Sequence, residues 1–523
     1  MPREEFKRDQ SLVAAIAAVI SVNAFLYFIA RDQTFVHIDA IAHVNKARGL
    51  FDSLQPGLRQ LGSVWLPLPH LLIAPLAAID RLWRTGAAGS LVSVTCFIGT
   101  SVYLFATGSA WSGSRVVGWL AFMLFALNPH MMYLFATPEN EPLMIFCATG
   151  LVYYLVRWAK EERWTHLALA GLFAFAGTWT RYEGWALAAT ACLLILIVTR
   201  GQKIAATILF TGAAVVGPML WMLFNMIYFD DPLMFTYGIG SAQVNATGKQ
   251  FGTAGSMVES FIRYFIDVAY SLNAGVLWLA LGGLVLAFVL LRHDEWRPTL
   301  VIILGCLTLF GFYVFNLYSN NISILLPGIV KDDPESIYNV RYGSIMASTI
   351  PIFASFFVCV VWRQVERRRA LALLMLTPIV LPDPVPAASQ EGIGQQFTQN
   401  LFYTEAIHNQ SFWMPPFMDV SGKLKHEIDA GDDNKGLIMT NTRIVHVVVW
   451  VTGIPMRRFL TEMEQDEWGR SLKNIDPNIR WVITEEGDQL WHAQGKWLQR
   501  NWIEVANAKT ESTGRVHLFR RPG

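Results

Sequence analysis

Residues 64–79 read VWLPLPHLLIAPLAAI, and whether this stretch crosses a membrane decides on which side everything after it lies. It is apolar enough to meet lipid. It also holds Pro67, Pro69, Pro75 and His70, and it is shorter than the roughly 20 residues a spanning helix needs. The stretch therefore reads as interfacial or re-entrant. Upstream, the charged segment MPREEFKRDQ precedes an apolar run at 11–30 that lacks a small-residue cleavage pattern, which makes it a retained first helix. Arg3, Lys7 and Arg8 place the N-terminus in the cytoplasm. Downstream, apolar runs occupy 88–107, 116–137, 142–156, 165–180, 184–199, 204–229, 273–291, 298–319, 343–362 and, more briefly, 370–382. With the first helix they imply about eleven crossings.

The distribution of Lys and Arg tests this parity. With 64–79 outside the count, the cytoplasmic turns carry Arg115; Arg157, Lys160 and Arg163; Arg200 and Lys203; Arg292 and Arg297; and Arg363, Arg367, Arg368 and Arg369. The opposite turns hold few basic residues: none at 138–141, then Arg181, Lys249, Arg263, Lys331 and Arg341. Counting 64–79 as a span would reverse every cluster. The first external loop is itself basic (Arg31, Lys46, Arg48, Arg59, Arg81, Arg84), which long loops tolerate. One side thus collects Asp39, Glu141, Arg181, Lys331, Arg341 and the C-terminal region.

Composition agrees with an α-helical polytopic membrane protein. Of 523 residues, 53% are hydrophobic and 15% charged, and a net charge of +1 gives no field that would attract nucleic acid. Cys96, Cys147, Cys192, Cys306 and Cys359 all fall inside apolar runs without metal-like spacing, so they read as small hydrophobes, and the exported region carries no disulfide. Two further stretches suit helices lying at the interface. In 38–50, Asp39, His43 and Lys46 share one helical face; in 256–272, Glu259, Arg263 and Asp267 recur every four residues. Beyond Pro382 the Pro-rich linker LPDPVPAASQEG opens a soluble α/β domain, with β-prone runs at 436–440, 445–451, 480–484 and 516–519. The chain divides as a transmembrane domain, 1–382, and an external domain, 383–523.

The order of motifs resembles a known family. HIDAIAH in the first loop, VWLPLPHLLIAPL, the turn ATPENEPLMIF, WTRYEGW, FDDPLMF and NVRYGSI follow one another as in the GT-C superfamily of membrane glycosyltransferases. The chain is most similar to the branch of protein O-mannosyltransferases and aminoarabinose transferases. The resemblance spans about residues 11–362, and it implies transfer of a sugar from a polyprenyl-phosphate donor to a glycan, lipid or protein acceptor on the extracytoplasmic side. Asp39 matches the family's first-loop acid and Glu141 the acid before proline, although Glu replaces the more usual Asp at the second position.

Those positions suit the chemistry. Transfer needs a carboxylate to activate or orient the acceptor and positive charge to balance the departing phosphate. Asp39 is the candidate base, weighed against a plain helix-capping role. Glu141, with Glu139 beside it, would orient the acceptor, weighed against a carboxylate favoured by the helix dipole before Pro142. Arg341, with Tyr342 and Lys331, would grip the donor phosphate; the alternative is snorkelling to lipid headgroups. Arg181 and Glu183 read as an ion pair fixing the turn at Gly184, and with His43 and His70 they complete the candidate substrate contacts. No cofactor follows from the residues alone; His37, Asp39 and His43 form a weak ligand pattern, and a divalent cation (Mg or Mn) between Asp39 and Glu141 is the better metal reading. The competing classes are a secondary transporter, disfavoured by uncharged runs without a hydropathy repeat, and a ligase or polymerase of lipid-linked oligosaccharides. Asn245, Asn321 and Asn409 begin N-x-S/T triplets on the predicted outer side.

Overall fold

A computed structural model describes residues 3–238, 240–241, 251–291, 295–326, 337–364, 400–431, 436–510 and 514–522. Lys331, Asn245, Lys249, Arg292, Arg367, Arg368, Arg369, the run 370–382 and the 381–392 linker lie outside the described residues. The chain forms two compact units. The first comprises Met1–Ala30, Ser63–Pro69 and Ser90–Glu405; the second joins Arg31–Gly62 and His70–Gly89 to Ala406–Gly523.

The first unit is helical. Among the described residues, Glu4–Ile29, Ala87–Ser112, Glu141–Glu161, Lys203–Phe229 and Trp296–Tyr318 are long and apolar enough to span, and two bent pairs raise the five to as many as seven. This is an integral membrane protein. Some of the expected apolar runs are interrupted in identifiable places. The apolar stretch 116–137 stops as a helix at Ala126 and restarts as Pro129–Leu134. Asn128 dictates the break: its side-chain oxygen accepts from His130 N at 2.8 Å and Met131 N at 3.1 Å, and Pro129 is suited to the first helical position. The stretch 64–79 holds only the ten-residue helix Leu68–Ala77, too short to span.

The 256–272 stretch forms the helix Met257–Leu272, which turns through 113° into Ala274–Leu290. Asn273, at φ 76°, makes the corner and caps the second helix through Gly275 N and Val276 N. Its polar face looks inward: Arg263 and Asp267 are buried while Val258, Phe261 and Ile262 are exposed, as expected where lipid rather than water is the solvent. The stretch 343–362 begins not as an α-helix but as the 3-10 helix Val340–Ser348, followed by Ile350–Gln364. Gly343 permits this tight segment to lie on Met257–Leu272, since a Cβ there would come within 2.6 Å of Asp267 O.

In the second unit, strands β1 (Leu437–Met439), β2 (Phe459–Leu460), β3 (Ile479–Glu485), β4 (Ile503–Lys509) and β5 (Arg515–Arg520) form one sheet in the order β2-β1-β3-β5-β4. The β2, β1 and β3 neighbours are parallel; β5 runs antiparallel to β3 and β4. Met439, Leu460, Ile479, Val482, Leu490, Leu498 and Phe519 close its core. The expected strand at 445–451 is instead part of a helix, Thr442–Thr452. Asn441 accepts from Ile444 N at 2.8 Å, Glu462 accepts from Thr442 N at 2.6 Å, and Gly453 ends the helix at φ 66°. Both ends are capped and one face is buried, which overrides the β preference of the valines.

The first-loop helix Ile38–Asp52 belongs to this second unit. Asn45 Nδ2 donates to His446 O (3.2 Å) and its Oδ1 accepts from Trp83 Nε1 (2.8 Å). Arg457 pairs with Asp52 at 2.7 Å, and Gln60 Nε2 donates to Glu464 at 2.8 Å.

Candidate active site

The first unit brings five of the candidate residues into one buried ion network. Glu141 is the first residue of the helix Glu141–Glu161 and is fully buried. The turn after Trp164–Thr178 supplies Arg181, whose backbone is fixed by Arg181 N to Gly177 O (3.2 Å) and Gly184 N to Arg181 O (3.0 Å). Its Nη1 reaches Glu141 Oε1 at 2.9 Å and its Nε donates to Glu183. Arg341, from the 3-10 helix, donates Nε to the same Glu141 Oε1 at 2.9 Å and lies 3.8 Å from Glu139 Oε2.

An aromatic wall completes the network. Tyr313 donates to Glu183 Oε1 at 2.9 Å. The Tyr342 ring has the Arg181 guanidinium 5.3 Å and the Arg341 guanidinium 5.5 Å from its centroid, within cation–π range. Glu141 Oε2 has no hydrogen-bond partner among the described residues. Three carboxylates and two guanidiniums therefore meet around Glu141. Because Oε1 already accepts from two cations, a divalent ion on Glu141 would sit beside two positive charges, and repulsion opposes it. Glu141, so paired, is a poor metal ligand.

The second unit holds Asp39, His43 and His70. Asp39 is half-buried in the first turn of Ile38–Asp52, where its backbone N–H donates to His37 Nδ1 at 3.3 Å. The first turn of a helix favours its charge. His43 Nδ1 and His70 Nε2 are 3.0 Å apart, both rings buried. The Nδ1 atoms of His37 and His43 are thus both engaged, which fixes the orientation of both rings.

Two residues without an assigned role stand in the same unit. Burial pushes the Lys46 ammonium from its ordinary 10.5 down to about 8. Burial pushes the His446 imidazole down to about 3; the Lys46 charge adds to that shift and Asp39 opposes it. His446 was legible as the lone titratable group within IVHVVVWV, but only the fold ties it to the first loop. Tyr313 left no such signal, being one aromatic among many in its helix.

Residues 67–224 match the family of dolichyl-phosphate-mannose-protein mannosyltransferases. No curated protein matches the chain. Among solved structures, ArnT from Cupriavidus metallidurans bound to undecaprenyl phosphate superposes with a TM-score of 0.58 at 12% identity, covering 97% of each chain. The same protein in its apo state gives 0.55, again at 12% identity and 97% of each chain. The apo oligosaccharyltransferase of Archaeoglobus fulgidus gives 0.51 at 10% identity, covering 91% of this chain and 69% of its own. Residues 67–224 are thus similar to the dolichyl-phosphate-mannose-protein mannosyltransferases, and the fold of the membrane-embedded chain as a whole is like that of ArnT.

Proposed function

We propose that the chain moves a single hexosyl or pentosyl unit from a polyprenyl-phosphate donor to an acceptor on the extracytoplasmic side, with the N-terminus cytoplasmic and the C-terminal domain outside. Asp39 is the base that activates the acceptor nucleophile. Arg181 and Arg341, oriented by Glu141, Glu139 and Glu183, balance the charge that develops on the departing phosphate, and Tyr342 supports their planes; Lys331 adds a further positive charge. His43 and His70 contact substrate.

The observation that carries this reading is the Glu141, Arg181, Arg341 network. It sits at a helix start and a turn rather than mid-helix, which favours chemistry at the membrane edge over the mid-depth coupling site of a transporter. The fold shared with ArnT, a protein crystallised with undecaprenyl phosphate, supports the donor class. Likeness to an oligosaccharyltransferase keeps a second reading in view, transfer of a lipid-linked oligosaccharide.

Purified protein incubated with radiolabelled polyprenyl-phosphate sugars, single-sugar and oligosaccharide, separates the two. Asp39→Asn is expected to lower transfer by roughly 10²–10⁴-fold with the fold intact. Undiminished transfer by that variant would remove Asp39 from the mechanism.

A further inference from the structure

Arg341 owes its place to a residue far along the chain. The 3-10 helix Val340–Ser348 starts after Asn339, which adopts a left-handed backbone (φ 59°) and offers no side-chain cap of its own. The carboxylate of Glu405 supplies it: Oε1 accepts from Asn339 N at 2.7 Å and Oε2 from Val340 N at 3.0 Å. Glu405 is fully buried. A buried carboxylate on two backbone N–H groups at a helix start is a strong, directional contact, and the next residue is Arg341.

Neighbouring contacts hold both partners of this clamp. Asn400 Nδ2 donates to Pro129 O at 3.0 Å, and Tyr403 packs edge-on to Tyr133 at 5.0 Å. His130 Nε2 lies 2.7 Å from Ser344 Oγ, one turn beyond Arg341. Ser271 Oγ donates to Val340 O at 3.1 Å, and Asn339 Nδ2 to Ser323 O at 2.9 Å. The 3-10 turn is pinned from several sides, but Glu405 is the acidic side chain that takes up its first two N–H groups.

We propose that Glu405 is a positioning residue: it fixes the turn that presents Arg341 to Glu141 and thereby sets how the chain holds its donor phosphate. The second half of this statement rests on the reading of Arg341 given above. The first half does not. A carboxamide has one acceptor oxygen where the carboxylate has two, so Glu405→Gln places an NH₂ against a backbone N–H, whereas Glu405→Asp keeps the charge and shortens the reach.

The test has two arms, run on the full-length protein in detergent. Amide hydrogen exchange over residues 337–348 is expected to speed up roughly ten- to a hundredfold in Glu405→Gln, with a smaller change in Glu405→Asp. Unchanged exchange in both variants would overturn the clamp. In the kinetic arm, the donor KM should rise while the acceptor KM stays level, and adding Arg341→Lys to Glu405→Gln should raise it little further. Faster exchange with donor and acceptor KM equally affected, or an additive double variant, would overturn the positioning role. Absence of transfer by the unaltered protein would count against the transferase reading alone, because the exchange arm decides the clamp without turnover.

Discussion

Two clusters of buried polar groups, one in each unit, follow opposite strategies. In the first, Glu141 is held between Arg181 and Arg341, each at 2.9 Å, so charges remain and neutralise one another. In the second, burial weakens the hold of two bases on their protons: the Lys46 ammonium is pushed down to about 8 and the His446 imidazole down to about 3. A mutually paired network is insensitive to small changes in pH but intolerant of losing a member. A group kept neutral by its surroundings tolerates truncation and responds to pH. The molecule thus carries a mutually paired charge network in its first unit and, in its second, a pair of bases whose protonation burial disfavours.

The largest effect expected from this contrast is in the first unit. Glu141→Gln leaves two guanidiniums facing each other across a neutral amide, and removing one partner of a buried pair costs about 3–5 kcal/mol. Arg181→Met should cost less, because Glu141 keeps Arg341. Thermal unfolding in detergent would measure both. A loss below about 1 kcal/mol for Glu141→Gln would mean that water, not the protein, compensates these charges, and the contrast between the units would collapse.

That network was only partly legible in the sequence. Glu141, Arg181 and Arg341 stood out as charges at the ends of apolar runs, and the parity of the spans placed them together. Their pairing was not legible, since Arg181 and Arg341 lie 40 and 200 positions from Glu141 and no local period links them. The fold divides in the same way. Helix boundaries followed hydropathy closely, as at Lys203–Phe229 and Trp296–Tyr318, and β1, β3 and β5 fell where β-branched runs predicted them. The helix Thr442–Thr452 did not, because its caps come partly from Glu462, ten residues past its end. Strand β4, IEVANAK, carries too little apolar alternation to be recognised before β5 pairs with it. Lys331 lies outside the described residues, so its assignment rests on topology.

The next effect concerns pH in the second unit, where His446 opposes Glu462 and Glu464, the latter also raised by burial. His446 stays neutral in the fold down to about 3 against an ordinary 6.5, so the unfolded chain binds the extra proton below pH 6.5 and stability falls on acidification. Glu462 is pushed up to about 7 by burial. Between its ordinary 4.5 and 7 the folded chain holds the extra proton, and stability falls as pH rises. From pH 4.5 to 6.5 the two slopes partly cancel. His446→Gln should leave stability declining with rising pH across that window, and Glu462→Gln should tilt the slope the other way, with Glu464 still opposing His446. Matching slopes in the two variants would show that neither group is held as its surroundings imply.

Lys46 gives the smallest effect and the finest test. Its folded value of about 8 lies below the ordinary 10.5, so between these values the unfolded chain binds more protons and stability rises with pH. At pH 7 the ammonium is charged in both states, and the burial penalty is fully expressed. Lys46→Met removes that penalty and should flatten stability between pH 8 and 10.5. Because the Lys46 charge also pushes His446 down while Asp39 pulls it up, the same variant should shift the His446 titration to higher pH, measurable by NMR of that ring. A His446 titration unmoved by Lys46→Met would mean that the two groups do not share a field, and that the pH response of the second unit is a sum of separate burials rather than the property of one cluster.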